Sequence, residues 1–162
     1  YSSLGMRHSE SARKIDSWLA LSGNAMRVFD VHLRAPHFDR KNILFRMNEA
    51  HFIKSNREEA LFLLGLETSP PPQVLAEKLM ALSGAEIICL TCDSLGAGML
   101  IGAQWYWAAG KKVPIVDTIG AGDSFLATLL ANWLIGNSAP QVALELACRV
   151  AESVVQANGA TP

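Results

Sequence analysis

Residues 113–126 read VPIVDTIGAGDSFL. An apolar run, predicted as a strand, leads into a turn of small residues, an acid and then a strongly apolar helix. Gly120, Ala121 and Gly122 let backbone N–H groups crowd against an anion, and a helix beginning near Asp123 turns its positive dipole end toward the same point. This is the layout of a phosphate-handling site. Asp123 then has two readings. Asp is a favoured N-cap, and capping alone would explain it. A carboxylate beside a bound phosphate works against binding unless it has a chemical role, and taking a proton from an attacking hydroxyl is such a role. The flanking turn favours the second.

Asp117, Thr118, Gly120, Ala121, Gly122 and Asp123 together resemble the D-T-x-G-A-G-D signature of the ribokinase-like (PfkB) carbohydrate kinases. The resemblance implies an α/β fold, a three-layer α/β/α sandwich with a largely parallel sheet. It also implies ATP-dependent phosphorylation of a sugar hydroxyl, with Asp123 as catalytic base and Gly120, Ala121 and Gly122 as the anion hole. No G-x-x-x-x-G-K-[ST] loop is present, so a P-loop cradle is not available and this turn has to serve. Residues 1–7, YSSLGMR, are similar to a stretch midway along kinases of the family. The chain is therefore expected to be the C-terminal, nucleotide-binding part of one domain, residues 1–162. Much of the sugar pocket and its lid would lie outside it, and a sheet interrupted in this way is expected to leave an apolar edge.

At 162 residues the chain has the size of one ordinary domain and can bury roughly 70% of its unfolded surface. Half of the residues are apolar and 18% are charged. No run approaches the roughly 20 apolar residues that span a bilayer, so the surplus belongs in buried strands and helices or on a face that meets more protein, a second copy included. A net charge of -1 gives no reason to expect nucleic acid or an anionic membrane. The chain opens on Tyr1 rather than Met, with no charged region and apolar stretch ahead of a cleavage site, and is expected to be a fragment; free thiols would suit a cytoplasmic protein. Its three cysteines, Cys89, Cys92 and Cys148, form no even disulfide framework. Cys89 and Cys92 have C-x-x-C spacing, but strand residues three apart face opposite ways, which suits a buried structural role better than a shared metal.

Along the chain, helical and strand patterns alternate, which argues for a largely parallel sheet with helices on both faces. Helices are expected at 9–21, 38–47 and 57–64, then from SPPPQ to about Gly84, from the signature turn to Gly136, and from Pro140 to about Ala157. Strands are expected at 26–31, 51–54 and 85–91, and GAGMLIGAQWYWA reads as a hairpin.

Functional groups of such sheets gather at the carboxyl ends of strands. Asp30-Val31-His32-Leu33-Arg34 resembles the D-x-N-x-R strand end of fructokinase-like members, with His32 where the family has Asn. The resemblance sets Arg34 near the ATP phosphates, and a guanidinium suits bidentate phosphate contact; an ordinary surface or ion-paired Arg is the plain alternative. Asn56-Arg57-Glu58-Glu59 matches the family's N-x-x-E, which implies that Asn56 and Glu59 organise Mg²⁺ and phosphates, Glu59 through water. Mg²⁺ keeps most of its waters and needs only one or two carboxylates. The same residues also read as a helix start, with Asn56 as N-cap and Glu59 closing a capping box. Both can hold at once.

Thr91-Cys92-Asp93-Ser94-Leu95-Gly96 resembles the family's T-x-G-x-x-G at the nucleotide. Thr91 and Gly96 fit, while Asp93 stands at the first glycine; Asp tolerates a left-handed backbone better than most residues. The closing stretch LACRVAESVVQANGATP is similar to the family's last long helix and the G-A-x-P after it. The resemblance sets Cys148 and Ala151 near adenine and Asp117 near a monovalent cation such as K⁺; close helix packing is the plain reading of each small residue. Trp105 and Trp107 either stack on a ligand or fill a core or interface. His8, His37 and His51 show no ligand spacing, so hydrolase and zinc chemistry find no support. Two function classes remain: the nucleotide-binding half of a fructokinase-like sugar kinase, or a diverged, non-catalytic nucleotide-binding or interaction module marked by His32 and Asp93.

Overall fold

The segment IICLT is apolar at nearly every position, the composition of a strand covered on both faces. FIKSN is not, yet its first four residues are buried just as IICLT's are. In the computed structural model, which describes residues 1–36 and 38–159, these segments are β3 (Ile87–Thr91) and β2 (Phe52–Asn56). With β1 (Val28–Asp30), β4 (Gly96–Ile101) and β5 (Gln104–Ala109) they form one sheet in the order β1-β2-β3-β4-β5. β1 and β2 run parallel with Val28 opposite Phe52, Phe29 opposite Ile53 and Asp30 opposite Lys54. That register explains the polar residues of β2: Lys54 Nζ lies 3.2 Å from Asp30 Oδ1, with both residues buried. A buried charge without such a partner costs several kcal/mol.

The helices are α1 (Ser9–Leu21), α2 (Arg40–Asn48), α3 (Arg57–Leu64), α4 (Pro72–Ser83), α5 (Ala121–Leu130) and α6 (Pro140–Val154). The bounds of α1 and α3 are those read from the sequence. α2 starts two residues later than its apolar pattern suggests, because the Asp39 carboxylate accepts a hydrogen bond from the Asn42 N–H and sets the cap there. Proline in the first turn opens α4 and α6, and Gly84 closes α4 in the left-handed region at φ 69°.

The chain divides into two compact units, Tyr1–Leu90 with Leu100–Gln104, and Thr91–Met99 with Trp105–Pro162. In the first, α4 packs on α2 and α3, and Phe29, Phe52, Ile53, Leu63, Leu75 and Leu79 are fully buried, each contributing about 1.5–3 kcal/mol by leaving water. In the second, α5 packs along α6, with Phe125, Leu129, Leu144 and Ala147 between solvent-facing residues and buried. Trp105 lies directly over Gly98, where any Cβ would run into its indole.

Several expectations are corrected. Residues 113–116 are not a strand: Ile115 and Val116 are exposed, and the Val116 and Asp117 N–H groups bond to the Val155 carbonyl at 2.8 and 3.3 Å instead of to a neighbouring strand. β-branched composition favours a strand only where an edge is free to pair, and this segment is held by the end of α6. The expected hairpin is present, with β4 and β5 adjoining in the sheet on either side of Gly102. α5 passes into a π-helical turn, Ala131–Ile135, before Gly136. α6 stops at Val154, short of Ala157. Cys89, Cys92 and Cys148 are free and buried, as their apolar surroundings suggested. The last three residues of the G-A-x-P stretch and His37 lie outside the described residues.

Gly96 has φ 120°, and a Cβ there would meet the Ala108 carbonyl and, at 2.6 Å, the Gly110 nitrogen. Gly96→Ala is expected to destabilise the protein by about 1–3 kcal/mol. A urea midpoint unchanged from the parent would refute this close approach.

Candidate functional site

The D-T-x-G-A-G-D residues lie in the second unit, where α5 starts at Ala121 behind Gly120 as N-cap at φ 81°. The first N–H groups of a helix have no intrahelical partner, and a glycine cap has no side chain to offer them. The Ala121 N–H reaches the Thr118 carbonyl at 3.4 Å, and no side chain caps this helix end. Asp123 stands at the third helical position, past the residue from which a side chain caps, and is exposed. Asp117 fastens this turn. Its Oδ1 accepts the Ile119 N–H at 3.0 Å and its Oδ2 the Gly159 N–H at 3.2 Å. These donors, Ile119 first, hold its carboxyl below the usual carboxylate range.

The other residues expected in this unit surround β4 and α6. After Thr91, a short 3₁₀ turn, Asp93–Leu95, is closed by the Cys92 N–H donating to the Gly96 carbonyl at 2.8 Å. Asp93 has φ 49°, the left-handed conformation a glycine would take there without strain. Cys148 is buried in α6, and burial, with Glu152 and Glu145 nearby, pushes its thiol up to about 11, so it is an inert packing group. The Ala151 carbonyl accepts the Val155 N–H at 3.1 Å. Trp105 and Trp107 stack on one another with ring centroids 6.1 Å apart.

In the first unit, Asn56 Oδ1 accepts the Glu59 N–H at 2.8 Å while Glu59 Oε2 accepts the Asn56 N–H at 2.9 Å, a complete capping box. Glu59 Oε1 accepts a third N–H, that of Leu33, at 2.9 Å. Arg34 is exposed and His32 has φ 41°. His51, which showed no ligand spacing, serves the backbone, since its Nδ1 accepts the Arg27 N–H at 2.9 Å. Sequence reasoning missed Lys54, whose charge within a strand pattern was a signal, and Ser3, which nothing in the sequence marks.

A family model described as "pfkB family carbohydrate kinase" matches residues 10–162. The chain belongs to the pfkB family. Fructoselysine 6-kinase of Escherichia coli (strain K12) is 37% identical to it over 87 residues, 53% of this chain and 33% of that protein. Fructokinase-2 of Zea mays is 32% identical over 98 residues, 60% of this chain and 28% of that one. Fructokinase from Vibrio cholerae O395, solved with fructose, ADP and calcium ion, matches the fold with a TM-score of 0.85 at 20% identity, covering 99% of this chain and 55% of that one. Aminoimidazole riboside kinase from Salmonella enterica, solved with aminoimidazole riboside and an ATP analog, gives 0.84 at 22% identity, covering 99% and 56%. The pfkB chain thus spans about a third of the curated relatives it matches and just over half of these solved chains. Its fold is the α/β fold of the ribokinase-like kinases, as the D-T-x-G-A-G-D resemblance implied.

Because its folded pKa is depressed, the stabilising tie from Asp117 to Ile119 and Gly159 is present above the ordinary value of 3.8 and lost as pH falls through the folded value. A carboxyl-carbon NMR titration should place the Asp117 midpoint below 3.8. A midpoint at or above it contradicts the two hydrogen bonds.

Proposed function

We propose that residues 1–162 are the nucleotide-binding part, a single domain, of a fructokinase-like carbohydrate kinase that transfers a phosphoryl group from ATP to a sugar hydroxyl. The observation that carries this reading is the start of α5, a glycine-capped helix end with Asp123 exposed at its third position. Outward amides at a helix start favour an anion, and an exposed carboxylate beside them is placed to take a proton rather than to cap. Asp123 is the base that deprotonates the attacking hydroxyl, and the amides of Gly120, Ala121 and Gly122 hold the oxygens of the transferring phosphoryl group. Arg34 contacts phosphate through its guanidinium, Thr91 and Gly96 border the nucleotide, and Cys148 and Ala151 border adenine.

ATP supplies the phosphoryl group when bound, and Mg²⁺ neutralises charge on its phosphates. Both Glu59 carboxylate oxygens already accept N–H bonds, so the residues present fit a water-mediated role of Asn56 and Glu59 toward Mg²⁺ better than direct ligation. Asp117 belongs with a monovalent cation such as K⁺. The partners are a small sugar and ATP, with no nucleic acid or membrane, in the cytoplasm and with copies free to associate; among the described residues no helix is long and apolar enough to cross a membrane. Residues 1–162 alone bind nucleotide weakly and transfer nothing.

A second reading, a diverged non-catalytic nucleotide-binding or interaction module, draws on His32 in place of the family's Asn. Asp93 no longer counts for it on conformational grounds, since its backbone is the one glycine would adopt. ADP release by the complete protein as its source encodes it, assayed with Mg²⁺, ATP and a panel of sugars led by fructose and fructoselysine, separates the two. Turnover with one sugar is expected, and Asp123→Asn is expected to lower it by about 10²–10⁴. Silence across the panel despite ATP binding favours the diverged module, and an unimpaired Asp123→Asn variant refutes the base.

A further inference from the structure

The conformation at His32 is strained: φ of 41° on a residue with a Cβ persists only where the surroundings over-determine it. Two buried side chains do so here. The peptide joining His32 to Leu33 is held at both of its polar atoms. Its carbonyl accepts the Ser3 hydroxyl at 2.8 Å, and its N–H donates to Glu59 Oε1 at 2.9 Å. Ser3 is 6% exposed and Glu59 9%, so neither bond is diluted by water. Each clamp is itself anchored. The Ser3 N–H donates to the Asp30 carbonyl at 3.4 Å, and Glu59 Oε2 accepts the Asn56 N–H of the α3 capping box at 2.9 Å. On the strand side, the Val31 N–H donates to the Lys54 carbonyl at 2.9 Å. The chain therefore leaves β1 in register and is turned at His32 by a peptide fixed at both ends. Arg34 follows, exposed, one residue beyond the clamp.

We propose that Ser3 and Glu59 are positioning residues that clamp the His32–Leu33 peptide and thereby aim Arg34 for phosphate contact. The consequence for nucleotide rests on the kinase reading above; the clamp itself does not. Glu59 acts here through the peptide that carries Arg34, a role separate from any through water on a metal. A planar guanidinium makes its paired phosphate bonds only from a defined direction, so loosening the peptide weakens nucleotide binding before it slows the chemical step.

Ser3→Ala removes one hydroxyl and nothing else, and is the decisive variant. In the complete protein it is expected to raise the KM for ATP about two- to tenfold, with kcat within about twofold and the Mg²⁺ requirement unmoved. It should add nothing in an Arg34→Ala background, since the two act on one contact. Hydrogen exchange of residues 31–36, measured without substrate, should quicken in Ser3→Ala, which reads the clamp whether or not the protein is a kinase. Unchanged exchange overturns the clamp. Quickened exchange with an unchanged KM, or effects of Ser3→Ala and Arg34→Ala that add in full, overturn its role in aiming Arg34. No turnover by the parent protein with any sugar overturns the kinase reading instead, and leaves the exchange result to decide the clamp.

Discussion

A lysine and an aspartate buried side by side on two parallel strands set the terms for the first unit. Asp30 and Lys54 are opposite one another in the β1–β2 ladder and 3.2 Å apart. A slip of one residue would turn one of them to the other face and leave both charges without a partner, a loss of about 3–5 kcal/mol for a broken buried pair. An apolar pair in their place would hold the strands as well but would not forbid the slip. Everything beyond the strand ends inherits this register: the turn through His32 on one side, and the Asn56 cap of α3 on the other.

Two helix starts in the chain are treated in opposite ways. At α3 the protein fills its own anion site, with Asn56 and Glu59 exchanging side-chain and backbone bonds until that end is closed. At α5 a glycine stands at the cap and no side chain closes the end. The same dipole and the same orphan amides exist at both, so the difference lies in which residues surround them. The two starts therefore differ in what is left to pair: side chains occupy the amides at α3, and no side chain caps those at α5.

Where local chemistry decides an element, the sequence was sufficient. α1 and α3 have the bounds that periodicity and capping residues indicate, α4 ends at Gly84, and the β4–β5 hairpin falls where GAGMLIGAQWYWA turns at Gly102. Where a distant partner decides, it was not. Val113 to Val116 has strand composition, but its backbone is claimed by the Val155 carbonyl, a residue some forty positions on. Ser3 is an ordinary serine until the fold brings its hydroxyl to His32. The candidate residues divide in the same way. The D-T-x-G-A-G-D run is local, so its geometry was legible; the third hydrogen bond of Glu59 reaches back to Leu33 and was not.

The indole pair of the hairpin also bears on how the molecule can be watched. Trp105 and Trp107 lie within 24° of parallel, close enough for their excited states to couple and to give a paired circular-dichroism band in place of two independent ones. Both belong to the second unit, whereas Trp18, 68% exposed on α1 of the first, emits as an indole in water. The paired band therefore reports on the second unit, and its loss on heating marks the melting of that part of the chain.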